Sequence, residues 1–539
     1  MKFLLFAAVA QAYLQLDFER QTAQDVALAK RHTSNGVANA MDVPIEQIGD
    51  LMYTVQLHVG TPPQNVTVQL DTGSSDLWFP VASNPYCKRN AKLAPKKVKA
   101  LPATGFAIEN DQVAKKLRTF DCDAFGLFNS SMSSSFKSND SSEFFVKYED
   151  GTYASGMWGT DTFKLNHHNV SNITFALANI ANASMGVLGV GFPAEETTDD
   201  PSPGSLIDKE HYQYDNFPIA LKRTRTIKKV SYSIFLNDTN SKKGVILFGG
   251  VDHSKYQGTL WTVPMVNNLL TLNQTTTSRP EITLNGLGFR DDKKNVTLWG
   301  EKIPVLLDTG TTLAYAPKQV VDVIAKRVNG TIDSKTGGIK LKKCPNAKDN
   351  SELIFNFAGA EIPVSLLNMV EKRKGKCYLE IRYHEELSKT GMLLGDIFMR
   401  HVYSVFNMED MEVSFAVANG NDSAPLQIEA IISDVPSAVK APQYYNTFAS
   451  SNLPSTVTND IFASTATASM EPPSSVLESL KSKSSSTSSI DTSVPSDDKK
   501  IIDDDHSGHD HAKRDAYSNT AGILQISTTL VLVAMTLLL

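Results

Sequence analysis

What this 539-residue chain has little of narrows its class before any motif is read. Net charge is small. The 52 Lys and Arg against 58 Asp and Glu leave −6, which gives no support for nucleic-acid binding. Cysteine is scarce: Cys87, Cys122, Cys344 and Cys377 are an even set suited to disulfides in an oxidising compartment. Three pairings are open, and local pairing, Cys87–Cys122 with Cys344–Cys377, is the most economical. Long periodic helices are also scarce. The clearest is "KQVVDVIAKRVNG", closed by Gly330. No single core suits so long a chain, so two or more lobes are expected.

The apolar run at the amino end, "MKFLLFAAVAQA", is too short to cross a bilayer. With Lys2 ahead of it and Ala10-Gln11-Ala12 closing it, residues 1–12 read as an export signal. Residues 13–31 then read as a short amphipathic propeptide ending at Lys30-Arg31. At the other end, small residues around Asn519 precede an apolar tail that stops at Leu539 without cytoplasmic charges. Residues 519–539 therefore read as a glycolipid (GPI) anchor signal with Asn519 as the attachment residue. A plain transmembrane helix is the other reading, weakened by Gln525 and the missing basic residues. Eleven N-x-S/T triplets suit a glycosylated surface, among them Asn65, Asn129, Asn139, Asn295 and Asn421.

After residue 420 the composition changes. Residues 451–500 hold 21 Ser or Thr, and 421–518 read as a disordered, O-glycosylated stalk. His506, His509 and His511 cluster in "DDDHSGHDH", where a solvated linker is a better reading than a metal site. Between about 50 and 420 the chain alternates as strands do. "YTVQLHVG", "NVTVQL", "YSIFLND" and "YSVFNMEDMEVSFAVA" predict a mostly β body.

That body contains an internal repeat. "VTVQLDTGSSDLWFP" at 66–80 is answered by "IPVLLDTGTTLAYAP" at 303–317. Each is followed by two apolar residues and Gly, in "GVLGVG" at 186–191 and "MLLGD" at 392–396. Two related lobes follow, 50–260 and 261–420. An apolar strand ending in Asp-Thr-Gly drives a carboxylate into a costly place. Two such turns that meet would share one proton between Asp71 and Asp308, giving one acidic and one basic oxygen. That pair can activate a water and protonate a leaving group with no metal or cofactor.

On these motifs the chain resembles the pepsin-type aspartic proteases over residues 50–420. The resemblance implies a bilobal, mostly β fold with its active site between the lobes. It implies that Asp71 and Asp308 hold the attacking water and that Thr72 and Thr309 fix the two turns across the interface. Ser74 and Thr311 would donate to the carboxylates beside Gly73 and Gly310. "FFVKYEDGTYASGMWGTDTF" is similar to the hairpin flap of that family, with Tyr148 as the flap tyrosine and Trp78 as its hydrogen-bond partner. Glu149 stands where Gly usually follows the tyrosine, with Asp150 next; with Gly151 and Thr312 they form the expected substrate-binding set, a solvated glutamate in an ordinary hairpin turn being the alternative. Two carboxylates there favour a basic side chain in the substrate.

"YQYDNFP", "YSIFLND", "FGGVDHSKYQGTLWTVPMV" and the tail resemble the yapsin group of fungal surface proteases. The implied partners are proteins or peptides with Lys/Arg sites. The implied location is the plasma membrane through the glycolipid, or the cell-wall glucan. Two other readings compete: an inactive wall or adhesion protein retaining the fold, and a digestive pepsin of hydrophobic preference. The first predicts loss of an aspartate or of the flap tyrosine, and neither is lost; the acidic flap and the anchor argue against the second. The segment 88–121 carries nine Lys or Arg against three Asp or Glu, and is closed by Cys87 and Cys122 under local pairing. Its cleavage would turn an expected monomer into two disulfide-linked chains; an uncut solvated loop is the alternative.

Overall fold

Alternating and continuous apolar runs make the body a β structure. The computed structural model describes residues 12–22, 51–87, 121–148, 152–166, 168–199, 211–237, 243–268, 277–385, 391–420, 424–448 and 460–462. Most of the expected export signal (residues 1–11), residues 23–31, residues 88–120, Glu149, Asp150, Gly151, Asn273, Asn421, the serine-rich run and Asn519 lie outside them.

A fourteen-stranded sheet runs through the body, and an eight-stranded sheet and a four-stranded sheet complete the second half. The strand Leu14–Thr22 lies inside the large sheet, antiparallel to Lys243–Phe248 on one side and to Leu51–Val59 on the other. Leu14, Leu16 and Phe18 are buried on its core face, at roughly 2 kcal/mol each. Half of the expected propeptide is thus an interior strand. The expected lobe boundary at 260 falls within the strand Tyr256–Pro264, and Val402–Asn407 returns to pair with Ser231–Phe235 of the large sheet.

Each half threads the same knot. In the first, Gln64–Asp71 runs parallel to Gly186–Gly189, which is also antiparallel to Leu77–Pro80. In the second, Ile303–Leu307 runs parallel to Met392–Leu394, which is antiparallel to Ala314–Tyr315. The apolar-apolar-Gly strand therefore passes between the arms that enter and leave the Asp-Thr-Gly turn. Buried on both faces, it reads as continuous apolar sequence. The glycine is needed where it slips under the turn. A Cβ on Gly189 would come within 2.6 Å of the Ser75 backbone, and one on Gly395 within 2.1 Å of the Thr311 carbonyl.

The helix expected at 318–330 spans Lys318–Arg327. It ends one residue earlier than the glycine suggests: Asn329 takes the left-handed conformation (φ 52°), and Gly330 N–H donates back to the Ala325 carbonyl. Cysteines pair locally, Cys87–Cys122 and Cys344–Cys377, with Cα–Cα separations of 5.5 and 5.4 Å.

The stalk expected from residue 421 begins later. Ile428–Ala430 pairs with Gly250–Asp252, and Ala438–Lys440 lies parallel to Tyr256–Pro264. Ile431, Val435 and Ala441 are buried. Sparse apolar residues at 424–448 suffice to hold this segment on the body; the dense Ser/Thr composition starts only beyond it.

Candidate active site

The two Asp-Thr-Gly turns meet. Thr72 N–H donates to Thr309 Oγ1 (3.1 Å) and Thr309 N–H donates to Thr72 Oγ1 (3.0 Å). Each hydroxyl then donates onward across the interface, Thr72 to the Leu307 carbonyl (2.8 Å) and Thr309 to the Leu70 carbonyl (3.2 Å). All four groups are buried, so losing any one would leave an unpaired partner in a dry interface.

This exchange fixes the carboxyls. Gly73 N–H and Ser74 Oγ–H donate to Asp71 at 2.8 and 2.5 Å; Gly310 N–H and Thr311 Oγ–H donate to Asp308 at 2.7 and 2.6 Å. The glycines serve close approach. A Cβ on Gly73 would stand 2.7 Å from Asp308 Oδ1, and one on Gly310 2.4 Å from Asp71 Oδ1. Only hydrogen at these positions leaves room for the carboxyl of the other half. Burial raises the pKa of Asp71, and the neighbouring Asp308 charge raises it further; donation from Ser74 and Gly73 pulls the other way. One proton therefore stays with the pair into a range where an isolated aspartate has lost its own. Such sharing is the established behaviour of aspartic-protease dyads rather than something peculiar to this chain.

The hairpin expected as a flap begins at a hydrogen bond to the first half's Trp78. Trp78 Nε1–H donates to Tyr148 Oη (2.8 Å), and Tyr148 N–H donates to the Thr152 carbonyl (2.7 Å) across the hairpin. Burial and then the Asp71 charge hold the Tyr148 hydroxyl in its neutral form. Thr312 is half-buried next to Thr311, and its carbonyl accepts from Ile397 N–H (3.0 Å). Glu149, Asp150 and Gly151, which follow Tyr148, lie outside the described residues.

Sequence reasoning missed a set of buried acids around this site. Asp76 is buried behind the lid, accepting from Tyr214 Oη–H (2.7 Å) and Thr197 N–H (3.0 Å). Burial pushes its pKa up to about 6, against those two hydrogen bonds. Glu196 accepts from Tyr214 N–H (2.8 Å), and burial pushes it up to about 9. Tyr214 also packs on Trp158 at 5.2 Å between centroids. In the other half Asp396, directly after the Met392–Leu394 strand and Gly395, is fully buried with neither carboxyl oxygen hydrogen-bonded. Burial, then the Asp308 charge, keeps it protonated. Asp76 carried a signal, an acid set against the apolar "LWFP"; Glu196 carried none.

Two carboxyls sharing a proton between symmetric turns, under an aromatic lid, define an aspartic endopeptidase. The comparisons agree: the chain belongs to the eukaryotic aspartyl protease family, whose pattern matches residues 52–418. It is 41% identical over 434 residues to aspartic proteinase 3 of Saccharomyces cerevisiae, covering 74% of this chain and 75% of that one. It is 40% identical to aspartic proteinase yapsin-3 of the same yeast, over 74% and 72% of the two chains. Among solved structures, the aspartic proteinase from Irpex lacteus matches with a TM-score of 0.51 at 18% identity, over 69% of this chain and 96% of that one; this shows the fold. The protein is a pepsin-like aspartic endopeptidase of the yapsin type.

Proposed function

We propose that this endopeptidase is exported and tethered by a glycolipid at Asn519, and that it cleaves surface or secreted proteins at Lys/Arg sites with Asp71 and Asp308 as its catalytic pair. In the reaction, the ionised carboxyl of the pair takes a proton from a water lying between them, and the water oxygen bonds to the scissile carbonyl carbon. The protonated carboxyl gives its hydrogen to the carbonyl oxygen. As the resulting gem-diol collapses, one of its hydroxyls gives its proton to the ionised carboxyl, the C–N bond breaks, and the departing amine takes the proton of the other carboxyl, so the pair again holds one proton. Thr72 and Thr309 hold the turns in register, Ser74 and Thr311 set the acidity of the outer oxygens, and Tyr148, held by Trp78, excludes bulk water.

The observation that carries the basic-site preference is at the lid. Tyr148 accepts from the Trp78 indole (2.8 Å), its hydroxyl feels the Asp71 charge, and Glu149 and Asp150 follow it directly in the chain. Two carboxylates next to a peptide channel attract an ammonium or guanidinium and give an apolar side chain nothing to bind. The exported state draws support from the two disulfides, the acceptor triplets and the anchor-like tail. In the folded body Asn65, Asn129, Asn169, Asn172 and Asn295 are exposed, whereas Asn237 is buried and donates to the Lys243 carbonyl.

The test is a peptide library cleaved by the purified protein, with Asp71→Asn as the blank. Cleavage next to Lys or Arg is expected, and Asp150→Ala should lower kcat/KM at basic sites about tenfold while sparing apolar ones. Cutting after large apolar residues with indifference to Lys and Arg would defeat the reading.

A further inference from the structure

Gly286 and Gly288 lie two residues apart in the strand Gly286–Arg290, paired with Asn356 and Ile354. Neither has a positive φ, so the backbone does not ask for glycine at either place. Glycine inside a strand weakens it, and marks a point where something approaches closely. What approaches is a distant piece of the same chain. A Cβ on Gly286 would stand 2.4 Å from Ile461 Cγ2, and one on Gly288 2.5 Å from the Phe462 ring and 2.7 Å from Ile461 Cδ1.

Polar contacts hold the same triplet. Thr297 Oγ1–H donates to Asp460 Oδ1 (2.6 Å), and Ile461 N–H donates back to Thr297 Oγ1 (3.1 Å). Phe462 N–H donates to Asp460 Oδ1 (3.1 Å), closing a turn, and the Arg290 guanidinium lies 5.9 Å from the Phe462 ring centroid. Arg290 is itself fixed by Glu361 (2.7 Å). The slot thus offers a hydroxyl for an acid, a bare strand for an aliphatic and an aromatic side chain, and a cation over the ring.

We propose that Asp460-Ile461-Phe462 is a docking motif seated in cis in a peptide-binding slot on the second half of the enzyme, so that this triplet is a point of attachment for the chain that leads to the tail. Without this seat the run from the last packed residue, Phe448, to the anchor residue would be 70 residues (449–518); with it, 56 (463–518). That removes about 50 Å of maximum reach at roughly 3.4 Å per residue. The slot recognises an acidic, then an aliphatic, then an aromatic residue, with the acid supplying direction and the glycines supplying room.

Hydrogen exchange on the full chain tests this, comparing the native protein with Gly288→Val, which fills the slot, and with an Asp460→Ala/Phe462→Ser variant, which empties it. Thr297 is left alone because it completes the Asn295 acceptor triplet. Protection of the Ile461 amide should fall about tenfold or more in both variants, while hydrolysis of a short peptide substrate is unchanged. A labelled peptide of sequence TNDIFAS should bind the emptied variant and fail to bind the filled one. Equal exchange in native and variant chains, or peptide binding indifferent to Gly288→Val, overturns the proposal. Should Gly288→Val not fold, the Asp460→Ala/Phe462→Ser chain carries the test, since its changes lie outside the sheet and Gly288→Ala can replace the block.

Discussion

Laid over one another by their Asp-Thr-Gly turns, the two halves match at Asp71 and Asp308, Thr72 and Thr309, Gly73 and Gly310, and Ser74 and Thr311. They then part company, each in a different place. Where the first half has Asp76, the second has Leu313; where the second has Asp396, the first has Val190. At these motif positions each half therefore buries an acid where its counterpart has an apolar residue. The two are handled in opposite ways: Asp76 has Tyr214 and Thr197 as donors, while Asp396 has no hydrogen-bond partner for either oxygen. The tyrosine is also one-sided, since Tyr148 accepts from Trp78 of the first half. The repeated residues are those that chemistry needs from both sides at once. The unrepeated ones tune a single side.

The largest effect should come from what is repeated. If both carboxyls share the proton, Asp71→Asn and Asp308→Asn should each lower kcat by about 10³- to 10⁴-fold, and to similar extents, with folding intact. Peptide hydrolysis measured alongside thermal melting checks this. A variant retaining more than a tenth of the activity would show that the halves are unequal in the chemistry as well as around it.

How much of this was legible beforehand follows the same division. The paired turns and the paired apolar-apolar-Gly strands could be read because one geometric demand, made twice, leaves the same letters twice. Gly189 and Gly395 must be glycine to pass under the turns, and that need is local. Trp78 and Tyr148 were reachable through resemblance. Glu196, Tyr214 and Asp76 were not: the apolar "LWFP" marks Asp76 as an unusual acid, but its donors Thr197 and Tyr214 lie 121 and 138 residues away, and nothing beside Glu196 announces its burial. Asp396 stands in the plainest view, one residue after the motif glycine, yet its state depends on Asp308, Arg400 and Asp71 around it. The strand Leu14–Thr22 has its own alternation, but a partner on each side is a property of the sheet. The late start of the stalk escaped notice because a few scattered apolar residues, Ile431 and Val435 among them, carry the packing of 424–448.

A middle-sized effect should follow from making the first half copy the second. Asp76→Leu leaves the Tyr214 hydroxyl and the Thr197 amide without acceptors in a buried place. Leaving two donors unpaired costs about 2–3 kcal/mol, offset in part by removing a carboxylate that burial already disfavours. Urea unfolding at neutral pH should register the loss, and Tyr148 should hold its place less well, raising KM more than it lowers kcat. A midpoint equal to the native one would mean that Tyr214 finds another acceptor and that the pocket behind the lid is not built on Asp76.

The smallest effect at acid pH, and one that grows with pH, belongs to Asp396. Its pKa in the folded chain lies above the unfolded value of about 3.9 because burial and Asp308 oppose its ionisation. Below that unfolded value both states hold the proton and the residue contributes no pH dependence. Above it the unfolded chain releases a proton that the folded chain keeps, so stability falls by about 1.4 kcal/mol per pH unit until the folded pKa is passed. Asparagine is close in shape to the neutral acid and cannot ionise. Asp396→Asn should thus be equal to or slightly less stable than the native protein near pH 3.5, where its amide brings one more donor to satisfy. It should overtake the native protein as pH rises toward neutrality. Thermal melts across that range read the crossing directly. Two parallel stability curves would mean an unshifted carboxyl, ionised near neutrality in both states, with Arg400 cancelling the influence of burial and Asp308.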